Sequence, residues 1–327
     1  MDARFVNPAR GGALTRRAFA GAVAVGLASC ARSGRASAGD PVRIGFQRSG
    51  VLLLAKARGG LDAALKGLAS GVRWIEFPSG PPVMEALSAG AIDFGSVGET
   101  PPIFAQAAAS PIVYVAAQPI SGAGAALLVP AASRARTVAD LKGRKIAFTR
   151  GTSAHLFIIE ALRQAGMDVH DIQPIYLAPS DASGAFASGA IDAWSAWDPY
   201  YALAQRNLKA RAIVTGESLP RTNAFFVAAR AFAEERPKAL SAILDGLKVE
   251  AAWAEAHRDA VASVIATSSG LPPDVAVAML RRGPFAVRPI DDAIVAQQQA
   301  CADVFRDIGA IPRAIDVGKD AWRGWAG

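Results

Sequence analysis

The residues with chemistry to offer gather at four short joints. Ser49-Gly50, Ser79-Gly80-Pro81-Pro82, Gly98-Glu99-Thr100-Pro101-Pro102 and Gly151-Thr152-Ser153 each separate a strand-like run from a helix-like one. Ser or Thr before a helix, Pro in its first turn and Gly after its end are the punctuation of such units. A helix N-terminus presents unbonded N–H groups and a partial positive charge, which suit an oxyanion. One such joint is ordinarily a cap. Four of one kind point to an anion site built from Gln47 and Ser49, Ser79 and Gly80, Gly98 and Thr100, and Thr152 and Ser153. His155 follows the last joint and reads equally as an anion donor and as a pocket-wall or helix-end residue.

Two acids are related by an internal echo. Residues 86–99 (ALSAGAIDFGSVGE) and 185–198 (AFASGAIDAWSAWD) match at an offset of 99, with Gly90/Gly189, Ile92/Ile191, Asp93/Asp192 and Ser96/Ser195 identical. Glu99 then falls opposite Asp198. A second echo, at an offset of 102, pairs Ile44, Phe46 and Arg48 with Ile146, Phe148 and Arg150. Self-similarity in one order suggests two lobes of similar build, with Glu99 and Asp198 at strand ends beside a shared cleft. The two could serve as general acid and base, but nothing else in the chain supports an enzyme.

Other chemistry is missing. His155, His170 and His257 have no second His, Cys or acid at a metal-ligand spacing, so no metal or cofactor is expected. There is no G-x-S-x-G elbow and no phosphate-binding P-loop. Gly122-Ala123-Gly124 lacks the third Gly of a dinucleotide loop and reads as a flexible crossover.

The elements that hold the joints alternate. Strands are expected at Val42–Gln47, Val72–Phe77, Ala91–Val97 and Arg144–Thr149. Helices are expected from Gly50 to Arg58 (closed by Gly59-Gly60), from Ser79 to Gly90, after Thr100, over Ala154–Ala165 and over Asp291–Ile308. Strand–helix alternation predicts an α/β fold with mostly parallel sheets, whose ligands bind beyond the carboxyl ends of the strands. Arg281-Arg282 reads as a solvated helix end or a partner-facing patch.

Charge is distributed unevenly. Residues 1–38 hold six arginines and Asp2, a net of +5, so the rest of the chain carries only +2 of the total of +7. That argues against a nucleic-acid partner. Arg16-Arg17 ahead of the apolar run Ala18–Ala28 resembles a twin-arginine export signal, too short to span a membrane. Either Leu27-Ala28-Ser29-Cys30 is a lipobox that makes Cys30 a lipidated first residue, or Ala36-Ser37-Ala38 is the cleavage site. Cys301 then has no disulfide partner and reads as a packed thiol. Residues 39–327 suffice for roughly two domains.

Four stretches, SGPPVMEALSAGAIDFGSVGETPPIFAQA (79–107), TVADLKGRKIAFTRGTSAH (137–155), IYLAPSDASGAFASGAIDAWSAWDPYYA (175–202) and NAFFVAARAFAEERP (223–237), resemble the aliphatic-sulfonate-binding subunits of ABC importers. The resemblance implies a two-lobed type II periplasmic-binding-protein fold with two crossings, near Ala125–Pro130 and near Ala224–Ala228. Lobe 1 would be 40–128 plus 226–327, and lobe 2 would be 129–225. It further implies a monomer in the periplasm or at the outer face of the cytoplasmic membrane that hands a small anion to a permease and its ATPase. Related branches take taurine, nitrate or bicarbonate. Trp197 is expected as a wall for an organic tail and Trp194 as core. Glu99 and Asp198 are either neutralised by Arg48 or Arg150, or hold an ammonium group, as on taurine.

Overall fold

The computed structural model describes residues 39–327; the export segment expected over 1–38, with Arg16-Arg17 and Cys30, lies outside the described residues. The strands are β1 (Val42–Phe46), β2 (Val72–Glu76), β3 (Phe94–Val97), β4 (Ile112–Pro119), β5 (Ala125–Val129), β6 (Lys145–Phe148), β7 (Gln173–Tyr176), β8 (Ala193–Trp197), β9 (Arg211–Thr215) and β10 (Asn223–Ala229). Between and after them run α1 (Val51–Arg58), α2 (Gly60–Ala64), α3 (Gly80–Ser88), α4 (Thr100–Ala107), α5 (Ser153–Gln164), α6 (Pro179–Ala187), α7 (Tyr200–Leu208), α8 (Arg230–Glu235), α9 (Pro237–Ala256), α10 (Arg258–Ser269), α11 (Pro273–Leu280) and α12 (Asp292–Asp307). No helix among the described residues is long and apolar enough to cross a membrane.

Two five-stranded sheets have the orders β2-β1-β3-β10-β4 and β7-β6-β8-β5-β9. The orders are equivalent position by position, and the sequence echoes fall on equivalent strands. Ile44 pairs with Phe94 in the first sheet, and Ile146 with Ala193 in the second, each partner shifted by its own echo offset. The Gly-Ala-Ile-Asp segments do the same work twice. Gly90 (φ 67°) and Gly189 (φ 73°) take the left-handed conformation that ends α3 and α6. Asp93 and Asp192 then each accept a backbone N–H near the start of the neighbouring strand, from Arg43 and Lys145, both at 2.8 Å. The expected strand at Ala91–Val97 therefore begins only at Phe94, because Ala91 and Ile92 donate back to the Ala86 carbonyl.

Each sheet is covered on both faces. On β10, Phe226 and Ala228 enter one apolar core while Phe225 and Val227 enter the other. On β5, Leu127 and Val129 alternate with Ala126 and Leu128 in the same way. Strands buried on both faces read as continuous apolar runs rather than alternating ones. For that reason the segments expected as crossings are antiparallel strands well inside the sheets. The chain instead passes between sheets over residues 120–124 and 216–222, where Gly122 and Gly216 lie so close that a Cβ on either would strike the other's backbone. Gly59 ends the first helix as expected, capping α1 in the left-handed region, and α2 follows at once from Gly60.

Candidate functional site

A cavity of about 300 Å³ lies between the two sheets. Its walls begin with the first turns of α1 and α5, which follow the equivalent strands β1 and β6. Ser49, Gly50 and Val51 come from one lobe, and Thr152 and Ser153 from the other. Neither helix carries a side-chain cap: Gly50 has no side chain, and Thr152 spends its hydroxyl on the Thr149 carbonyl at 2.7 Å. The leading N–H groups of both helices are thus free of side-chain acceptors. The other two joints contribute less. Gly80, Gly98 and Pro101 line the cavity, but Pro-Pro follows Gly80 and Thr100, so α3 and α4 have few N–H groups to give. Gln47 also lines it, its amide nitrogen donating to the Ser96 carbonyl at 3.1 Å.

Four expected residues sit elsewhere. Ser79 is 5% exposed and lies outside the cavity wall. Thr100 is fully buried, its hydroxyl donating to Glu99 at 3.2 Å. His155 is packed among Phe148, Phe305 and Phe104, stacked on the first at 5.1 Å between centroids. Its Nδ1 accepts from the Gly151 N–H, and burial together with Arg150 lowers its pKa to about 4, so a neutral ring in an aromatic nest replaces the expected donor. Glu99 does not face the cleft either. It is 2% exposed and lines a second cavity of about 280 Å³, bounded by α5, α12 and both crossovers. Its carboxylate accepts from Ser153 at 2.9 Å, and burial holds its pKa above the usual carboxylate range.

Trp197 and Asp198 line the first cavity, while Trp194 is 2% exposed within a core. Asp198 is paired with Arg282 at 2.8 Å, not with Arg48 or Arg150. Arg48 lies 3.7 Å from Glu76 instead. Arg282 follows α11, packs over the Tyr201 ring at 3.8 Å and also donates to Gln205 at 2.6 Å. Burial raises the Asp198 pKa and Arg282 works against that rise. Arg282 is the functional-site residue missed in the sequence, where it read as a helix end or surface patch. Its partner lies 84 residues away, and no local pattern announces the pair. The echoed acids thus have different lots: one is charge-paired at the cleft, the other is buried behind Ser153.

The site's frame is shared with known proteins. The NMT1-like family matches residues 40–268. An aliphatic sulfonates-binding protein of Escherichia coli (strain K12) is 38% identical over 289 residues, 88% of this chain and 90% of that one. The structure of an alkanesulfonate-binding protein from Xanthomonas axonopodis pv. citri bound to MOPS superposes with a TM-score of 0.84 at 37% identity, covering 88% of this chain and all of that one. That of the periplasmic aliphatic sulphonate binding protein from Escherichia coli gives 0.79 at 38% identity, covering 86% and 92%. These relatives are binding proteins rather than enzymes, and their two-lobed periplasmic-binding-protein fold is the one described above. With its two equivalent sheets, paired crossovers and interlobe cavity, the chain belongs to the NMT1-like family, among the substrate-binding proteins of ABC importers.

Proposed function

We propose that the protein captures an aliphatic sulfonate in the interlobe cleft, outside the cytoplasm, and delivers it to an ABC permease with its ATPase. The observation that carries this reading is the pair of uncapped helix N-termini, α1 and α5, that meet at one cavity from opposite lobes. A sulfonate stays anionic at any physiological pH, so it needs donors and no base, and N–H groups with a helix dipole behind them supply both bonds and charge. The organic tail has apolar wall to lie against in Trp197 and Phe285. A relative that holds MOPS, a sulfonate with a morpholine ring, fits a cleft of this composition. Asp198 is already neutralised by Arg282, which disfavours the reading in which it holds an ammonium group.

Calorimetry on protein stripped of bound ligand by unfolding and refolding tests this. Ethanesulfonate and a longer alkanesulfonate are expected to bind at micromolar or tighter levels. Taurine should bind more weakly, and sulfate and nitrate should be silent. Silence with every sulfonate would overturn the reading, and taurine binding tighter than ethanesulfonate would restore the ammonium role of Asp198.

A further inference from the structure

We propose that anion capture in the cleft is coupled to uptake of one proton by Glu99, with the Ser153 hydroxyl as the link between them. This rests on the cleft being an anion site. Glu99 follows β3 in one lobe, and Ser153 opens α5 in the other. Their Oε2 and Oγ atoms are 2.9 Å apart, and Ser153 also lines the cleft. Gly98 permits the approach, since a Cβ there would collide with the Ser153 hydroxyl. A serine hydroxyl has a single proton. While Glu99 is a carboxylate it takes that proton, so Ser153 turns lone pairs toward the cleft and a buried negative charge stands behind them. Both effects oppose an anion. When Glu99 is protonated, its own O–H donates to Ser153 Oγ, and the serine proton is released to a ligand oxygen. Ligand and proton, the latter from solvent, enter together, and no bond other than O–H is made or broken.

The surroundings leave Glu99 free to act this way. Desolvation is the largest influence on it, and its acceptor bonds from Ser153 and Thr100 only oppose that. Among the described residues no cation forms an ion pair with it. From α12, Gln298 donates to the Glu99 carbonyl at 2.6 Å and reaches the Tyr114 hydroxyl of β4, while Cys301 shares the second cavity. From α5, Glu160 lines that cavity, and the neutral His155 faces its aromatic neighbours. Arg221 of the second crossover stands on the same wall. Protonating Glu99 is therefore the cheapest way to remove charge from behind the cleft.

The test is calorimetry of the whole protein with ethanesulfonate across neutral and mildly alkaline pH. At each pH two amine buffers with different heats of ionisation are used, since sulfonate buffers would compete. Wild type is expected to take up a fraction of a proton per ligand, with Kd tightening up to about tenfold per unit of falling pH on the alkaline limb. Glu99→Gln, whose amide donates to Ser153 as the protonated acid would, should show no uptake and a pH-independent Kd near the acid-side wild-type value. Ser153→Ala should lose affinity most at the acid end. Tight binding by wild type with no proton uptake would overturn the coupling and leave the anion site standing, as would uptake that persists in Glu99→Gln. Absence of ethanesulfonate binding at every pH would remove the anion site and the coupling with it. If Glu99→Gln does not fold, the wild-type proton count decides alone.

Discussion

The imidazole of His155 sits where a fourth aromatic ring would, among Phe104, Phe148 and Phe305. Its pKa of about 4 in the folded chain, against an ordinary 6.5, makes it a stability element. Between those two values the unfolded chain binds a proton that the folded chain refuses. Stability from this site is therefore complete above pH 6.5 and is lost as pH falls toward 4, by about 3 kcal/mol at 1.36 per unit. His155→Phe keeps the ring contacts and removes the titration, at the loss of the bond from the Gly151 N–H. Urea midpoints of wild type and variant should differ little at pH 7, and wild type should lose ground steadily down to pH 4. Parallel pH profiles for the two proteins would show that His155 is not the titrating group. The sequence offered this residue as a donor or as a wall. Only the packing of rings from α4, β6 and α12 around it decides, and that packing is long-range.

Sequence patterns were legible where one element acts alone. The helix starts at Gly50, Ser79 and Thr152 and the last helix at 291–308 lie within a residue or two of the observed ends. The repeated Gly-Ala-Ile-Asp segment also carried a real structural unit, a helix stop followed by an aspartate stapled to the adjacent strand. Its two copies are unequal in strength. Asp93 is 5% exposed and receives Arg43 Nε at 3.1 Å as well as the backbone N–H, whereas Asp192 is half-buried and receives the N–H of Lys145. The Arg43 guanidinium is 34% exposed, so the pair counts as a charged hydrogen bond of about 1.5–3 kcal/mol on top of the backbone bond of about 1 that both aspartates share. Asp93→Ala should thus lower the urea stability of its lobe about three times as much as Asp192→Ala does in the other. Equal losses would mean that the Arg43 pair adds nothing to the shared backbone staple. Patterns failed where the partner is remote. β5 and β10 hid as connectors because both their faces are buried, and α3 and α4 promised N–H groups that their own Pro-Pro pairs withhold.

At the scale of the molecule, the lobes meet through α5, whose His155, Leu156 and Ile159 pack against α4 and α12, and through polar ties around the cleft. Ser153 reaches Glu99, the Tyr200 hydroxyl donates to the Pro78 carbonyl at 3.2 Å, and Arg206 meets Asp274 at 2.9 Å. The Arg282–Asp198 pair is the most enclosed ion pair among these ties, with side-chain exposures of 18% and 11%. Arg282 belongs to the segment after α11, which packs with the first sheet's core, and Asp198 ends β8 of the second sheet. The crossovers meet at Gly122 and Gly216 and give the lobes a natural hinge, so closure depends on ties of this kind. Opening the hinge returns both charges to water, and only the closed arrangement suffers when one is deleted. Arg282→Ala should therefore disfavour closure by about 3 kcal/mol, which is roughly a hundredfold loss of sulfonate affinity. The ligand-free protein should show a larger radius of gyration by X-ray scattering, and thermal unfolding should move little, since neither lobe's core loses an apolar side chain. Adding Asp198→Asn to that variant removes the orphaned charge and should restore most of the affinity. A double variant as weak as the single one would mean that Arg282 holds the sulfonate itself rather than the lobes.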